Sequence, residues 1–216
     1  MRSNALAPAG SHFALYEHTA LYFRTVHPHS PGPQMAKGLG KSKKKSGKNN
    51  EVATLIYPPS LYIGPCSAAS STSYLNFNSI THVLSIGATP SARVPGVVYH
   101  RLPLTDSQTS SIAKTVDAAV TIIDDETSLE AGNILIHCSA AVSRSPTVVA
   151  AYLMIRYKMS LKEALGRLVL ARPTISPNAG FLQQLKEMEK TLYGRVTLDI
   201  DELPRRQQDR KMLFPD

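Results

Sequence analysis

The sequence predicts one α/β domain, a sheet sandwiched between helices, preceded by a basic segment that stays outside the fold. Three observations point there. Between about residues 53 and 194, short β-branched runs alternate with stretches of helical apolar period. The run "NILIH" (133–137) is unbroken in its apolar character, as in a strand covered on both faces. The run "SPTVVAAYLMIRY" (145–157) is apolar nearly all round, as in a central helix with no wet face.

Taken in order, "ATLIYPPSLYIGP" reads as short β-rich runs broken by Pro58-Pro59. "SAASSTSYLNFN" predicts a short helix with Tyr74, Leu75 and Phe77 turned inward. "THVLSIG" and "VVYHRLPL" are strand-like, with glycine or proline at their boundaries. Ile112, Val116, Ala119, Val120 and Ile123 recur at helical spacing between about Ser110 and Leu129. After the strand at 133–137 and the apolar helix, "SLKEALGRLVLARP" opens on Ser160-x-x-Glu163, a capping-box pattern, and stops at Arg172-Pro173. "NAGFLQQLKEMEKTLYG" places Phe181, Leu182, Leu185 and Met188 on one stripe and ends at Gly194. Residues 195–216, with balanced charge and Pro204, read as a loose C-terminal tail.

The net charge of +8 belongs to the N-terminal segment. Residues 1–50 hold eight Lys/Arg against Glu17 alone, whereas 51–194 hold eleven basic and ten acidic residues. No nucleic-acid partner is therefore expected for the folded domain. The segment 1–52 reads as a disordered tail, with the Lys/Gly/Ser run "KGLGKSKKKSGKNN" as a solvated linker. Lys41, Lys43, Lys44 and Lys45 fit a solubilising run, with nuclear import or polyanion binding as the alternative. No run approaches the roughly 18 uncharged apolar residues of a membrane span. Cys66 and Cys138, the only cysteines, cannot form a disulfide framework or a four-thiolate zinc site, which favours a reducing compartment, cytoplasmic or nuclear. The N-terminus lacks the apolar core of a secretory signal; its arginine and scarcity of acids leave a mitochondrial presequence as the alternative.

The chemistry concentrates in "HCSAAVSRS", residues 137–145, between the buried strand and the apolar helix. A strand, a tight loop and a helix start make an oxyanion site, because loop N–H groups curl inward and the helix adds its unsatisfied donors. Ser139, Ala140, Ala141, Val142 and Ser143 have side chains small enough not to obstruct such a nest. Arg144 can grip two phosphate oxygens in parallel, which a lysine cannot do. The field that holds a phosphate dianion also favours a thiolate, so Cys138 at the floor is a candidate nucleophile.

"HCSAAVSRS" followed by "AAYLM" resembles the signature of the dual-specificity phosphatases within the cysteine-dependent protein tyrosine phosphatase superfamily. "LYIGPCSAAS", "THVLSIG", "LPLTD" and "ARPTISPNAGFLQQL" continue the likeness, which covers roughly Tyr57 to Tyr193. The resemblance implies a central mixed β-sheet flanked by helices, a two-step phosphocysteine mechanism, and neither metal nor other cofactor. It implies a phosphoprotein as substrate, with phosphotyrosine and phosphoserine/threonine both accepted. The loop's middle residues are small and neutral, and no Tyr-rich segment builds a deep pocket. Nothing in residues 1–50 resembles a kinase-docking domain, so the chain reads as a small atypical member.

By the same resemblance Cys138 is the nucleophile, Arg144 the phosphate-binding cation and Asp106 the general acid. Asp106 lies in the polar loop "PLTDSQTSS", 32 residues before Cys138, whereas Asp117, Asp124 and Asp125 fall within a helical pattern. Ser145 resembles the hydroxyl that stabilises the departing thiolate, with a helix N-cap as the competing role. His137 resembles the residue that tunes the cysteine through hydrogen bonds. Asn178 resembles one that braces the phosphate loop, and a plain N-cap would look the same. Cys66 is read as a packed small residue, with a redox role toward Cys138 as the alternative. One departure stands out. Ala141 occupies a position, three after the cysteine, where the family usually has glycine, and a left-handed backbone there costs an L-residue roughly 1–2 kcal/mol.

Overall fold

A computed structural model describes residues 52–57, 60–127 and 132–215. All described residues belong to one compact unit, within residues 46–216; the lysine-rich segment and the rest of residues 1–51 lie outside the described residues, as do Pro58 and Pro59.

Five strands form one mixed sheet in the order β1-β2-β5-β3-β4. They are β1 (Thr54–Tyr57), β2 (Leu61–Gly64), β3 (Ile80–Ile86), β4 (Val98–Leu102) and β5 (Asn133–His137). Only the β1–β2 pair is antiparallel; β2, β5, β3 and β4 run parallel, with Gly64 and Ser85 both beside His137 in register. The run 133–137 is thus the central strand, as its unbroken apolar pattern predicts. Its side chains alternate between two cores: Ile134 and Ile136 join the larger, Leu135 the smaller. All three are fully buried, which contributes roughly 1.5–3 kcal/mol each by apolar transfer.

On the larger core lie α3 (Ala113–Thr127), α4 (Arg144–Tyr157), α5 (Leu161–Ala171) and α6 (Ala179–Tyr193). Eleven consecutive residues of α4, from Ser145 to Ile155, are buried, so the helix has no wet face. The capping box of α5 is present as read, with Ser160 and Glu163 exchanging side-chain and backbone bonds. Helix α6 buries Phe181, Leu182, Leu185 and Met188 and ends on Gly194 in the left-handed region. No helix among the described residues is long and apolar enough to cross a membrane.

Two expectations are corrected. The segment after β2 forms two short helices, α1 (Cys66–Ala69) and α2 (Thr72–Phe77), and Phe77 points outward at 88% exposure while Leu75 is buried. Six residues give too little periodicity to choose the face, and the single Leu75 anchor suffices. Nor are residues 195–215 of the expected tail loose. Leu198, Leu203 and Phe214 are buried, and a further helix, α7 (Gln207–Leu213), packs on α5. Scattered apolar anchors within a charge-balanced stretch hide such a segment from pattern reading.

Candidate active site

The carboxyl ends of parallel strands meet at one edge of the sheet, where open α/β sheets place their ligands. β5 delivers Cys138, β2 delivers Cys66, β3 delivers Gly87, and β4 leads into the loop bearing Asp106.

The loop from Cys138 to Ser143 is held by its carbonyls. The Cys138 carbonyl faces His137 Nδ1 at 3.2 Å, and the Ser139 carbonyl accepts from the Cys66 N–H at 3.1 Å. The Ala140 carbonyl accepts from Arg172 Nη2 at 3.4 Å, and the Val142 carbonyl from the Ser176 N–H at 2.7 Å. In a planar trans peptide the N–H points opposite to the C=O. Tying these carbonyls outward therefore turns the N–H groups of Ser139, Ala140, Ala141 and Ser143 inward, toward one concavity. Ala141 adopts φ +56°, the left-handed conformation that completes such a nest, and it is fully buried within the larger core.

Cys138 is 2% exposed at the floor, and Ser145 Oγ donates to its Sγ at 3.3 Å. Ser145 is not the cap of α4; Ser143 holds the N-cap position, and its hydroxyl serves Asp106 instead. Arg144, the first residue of α4, donates through Nη1 to the Gly87 carbonyl and through Nη2 to Ser139 Oγ at 2.8 Å. Gly87 has φ +59°, and an added Cβ would lie 1.9 Å from the Leu104 carbonyl oxygen and 2.9 Å from Arg144 Nη1. Only glycine lets the guanidinium approach so closely.

Asp106 sits above the loop. Its Oδ1 accepts from Ser143 Oγ at 2.8 Å and from Asn178 Nδ2 at 2.9 Å, while Oδ2 stands 3.6 Å from Arg144 Nε. Asn178 makes contacts on two sides. Its Oδ1 caps α6 by accepting from the Phe181 N–H, and its backbone N–H donates to Ser143 Oγ. Asp117, Asp124 and Asp125 lie on α3, and Asp124 pairs with Arg156 and Tyr152.

His137 is fully buried, with Nε2 2.7 Å from Ser85 Oγ. A carbonyl can only accept, so Nδ1 carries the proton and Nε2 accepts from Ser85. Burial, reinforced by the Arg144 cation, holds the imidazole below its ordinary pKa of 6.5 against the raising effect of the Cys138 carbonyl. The sign follows. The unfolded chain takes up this proton first, so the contribution to stability is present above about pH 6.5 and is lost as pH falls through the lower folded value. His137→Gln is expected to cost about 1–3 kcal/mol at neutral pH, through two disturbed buried hydrogen bonds, and to remove this part of the acid slope. Urea unfolding at pH 7.5 and 5.5 checks it; equal acid slopes in both proteins contradict the buried neutral ring.

Cys66 and Cys138 are both free thiols. The Cys66 thiol donates to the Thr89 carbonyl at 3.1 Å; burial first, then the neighbouring Cys138, raise its pKa. Arg172, Ser176, Ser85 and Gly87 belong to the site's support without having been marked in the sequence as functional. Their partners are mostly backbone carbonyls, which every residue carries, so no motif announces them.

Comparisons with known proteins agree with this architecture. The chain is 35% identical over 146 residues to "Dual specificity protein phosphatase 1" of Arabidopsis thaliana, covering 67% of this chain and 73% of that one. It is 33% identical over 162 residues to "Dual specificity protein phosphatase 15" of Mus musculus, covering 73% and 68%. Among solved structures it is similar to a mouse putative dual specificity phosphatase complexed with zinc tungstate, with TM-score 0.63 and 27% identity over 71% of this chain and 94% of that one. The family model "Dual specificity phosphatase, catalytic domain" matches residues 61–191, the sheet from β2 onward and the helices through most of α6. By that match and these relatives, the chain belongs to the dual specificity phosphatase family.

Proposed function

We propose that the chain hydrolyses phosphotyrosine and phosphoserine/threonine monoesters of proteins through a phosphocysteine intermediate. The observation that carries this reading is the set of loop carbonyls tied by His137, Cys66, Arg172 and Ser176, which turns the loop N–H groups the other way, with Ser145 bonded to Cys138 Sγ and Asp106 beside Arg144. In the first step the Cys138 thiolate attacks phosphorus and the P–O ester bond breaks. Asp106 gives its proton to the leaving oxygen, and Arg144 with the loop amides neutralises the equatorial oxygens. In the second step Asp106 takes a proton from the attacking water. The S–P bond breaks, inorganic phosphate forms, and the Ser145 hydroxyl stabilises the departing thiolate. Ser139, Ala140, Ala141, Val142 and Ser143 bind substrate through their backbone, and His137 and Asn178 hold loop and acid in place.

A second reading, a phosphate-binding module with little turnover, rests on Ala141 at φ +56°. Two facts favour the enzyme. The Ala141 methyl is buried within the larger core, and the Ala140 carbonyl is already tied to Arg172, which turns the Ala141 N–H the other way. The test is phosphate release by the purified chain from phosphotyrosine and phosphothreonine peptides, with orthovanadate as inhibitor. Turnover on both is expected, and Ala141→Gly should stay within about threefold of wild type in kcat/KM. An inactive wild type that gains turnover on Ala141→Gly establishes the binding module instead.

A further inference from the structure

Helix α7 lies beyond residues 61–191, the stretch that matches the family model, yet one of its side chains reaches the support of the phosphate loop. Arg210 is 8% exposed. Its Nε donates to the Pro204 carbonyl, and its Nη1 donates to the carbonyls of Pro173 and Ile175, both at 2.7 Å. Burial pushes the Arg210 pKa down from the usual arginine value. The guanidinium stays charged there because carbonyl oxygens replace the water it has lost.

The two carbonyls gripped by Nη1 lie between Arg172 and Ser176, the two residues that orient the loop. Arg172, which holds the Ala140 carbonyl, immediately precedes Pro173. The Ile175 carbonyl shares a peptide with the Ser176 N–H, and the two point in opposite directions. That N–H donates to the Val142 carbonyl at 2.7 Å, and the Val142 carbonyl shares a peptide with the Ser143 N–H. Arg210 therefore stands at one end of a line of two hydrogen-bonded peptides whose other end faces the cradle. A cation donating to the first carbonyl both fixes and polarises the peptides downstream, strengthening the last N–H as a donor.

We propose that Arg210 is a positioning residue for oxyanion binding, acting through the Ile175–Ser176 and Val142–Ser143 peptides on the Ser143 N–H. The proposal rests on the phosphatase reading of the loop and adds that the C-terminal segment belongs to the working site.

The test is calorimetric titration of the full chain with sodium tungstate, for wild type, Arg210→Met, Arg210→Lys and Phe214→Ala, alongside melting temperatures. Arg210→Met keeps an apolar stem and loses the donors, so tungstate binding should weaken roughly three- to tenfold. Arg210→Lys keeps the charge but cannot serve the three carbonyls together, and should fall between. Phe214, buried against Gly166 in the same segment, controls for loosening of the C-terminus. Phe214→Ala should lower the melting temperature while keeping the wild-type tungstate affinity. Wild-type affinity in Arg210→Met overturns the proposal, as does an equal loss in Phe214→Ala. Should Arg210→Met not fold, wild-type affinity in Arg210→Lys decides against it in the same way. A wild type that binds no tungstate at all overturns the phosphate-site reading itself, and the proposal with it.

Discussion

Cys138→Ser is expected to abolish turnover, lowering kcat on the order of 10⁴- to 10⁶-fold, the scale seen when a nucleophile is removed from a preorganised site. The substitution is nearly isosteric at a position 2% exposed, so the loop and its amides should stay in place. What changes is the reacting atom. A serine hydroxyl has to be deprotonated to attack, and the nearest base is unavailable. His137 Nδ1 bonds the Cys138 carbonyl and Nε2 bonds Ser85, so neither ring nitrogen is turned to the side chain at 138. Ser145 Oγ, the direct partner of Sγ, is a donor there and offers no base. Phosphate release from a phosphotyrosine peptide measures the loss, and tungstate titration shows that the cradle survives. A variant that keeps more than about a tenth of wild-type kcat would falsify the role of Cys138.

The residues of the candidate site were largely legible in the sequence, for physical reasons. The unbroken apolar run at 133–137 can only be a strand covered on both faces, and it places the thiol that follows at the end of a buried parallel strand. Cys138 and Arg144 are five loop residues apart, a spacing local enough to survive as a pattern. Asp106 was separable from Asp117, Asp124 and Asp125 because helical periodicity claims those three. What stayed hidden is the framework that aims the loop. Arg172 read as a helix stop because its stop position is real: the guanidinium turns back to the Ala140 carbonyl from the residue where α5 ends. Ser85 is an ordinary small residue within a strand until register places it beside His137. Arg210 sits among five basic and five acidic residues whose sum is zero, and nothing local distinguishes the one that is buried.

Asp106→Asn is expected to lower kcat by about 10²–10⁴ on phosphoserine and phosphothreonine peptides, the usual worth of a positioned general acid. Asparagine keeps the size and an acceptor oxygen for Ser143 and Asn178, so the loop should hold. The amide has no proton to deliver to a leaving alkoxide. The loss should therefore follow leaving-group basicity: large for serine and threonine oxygens, smaller for tyrosine, and smallest for p-nitrophenolate, which departs readily unprotonated. The geometry supports the proposal, because Asp106 accepts from Ser143 of the loop and from Asn178, and its Oδ2 stands 3.6 Å from Arg144 Nε. Equal losses on p-nitrophenyl phosphate and phosphothreonine would assign the proton to another group and leave Asp106 the lesser task of orienting Arg144 through that same contact.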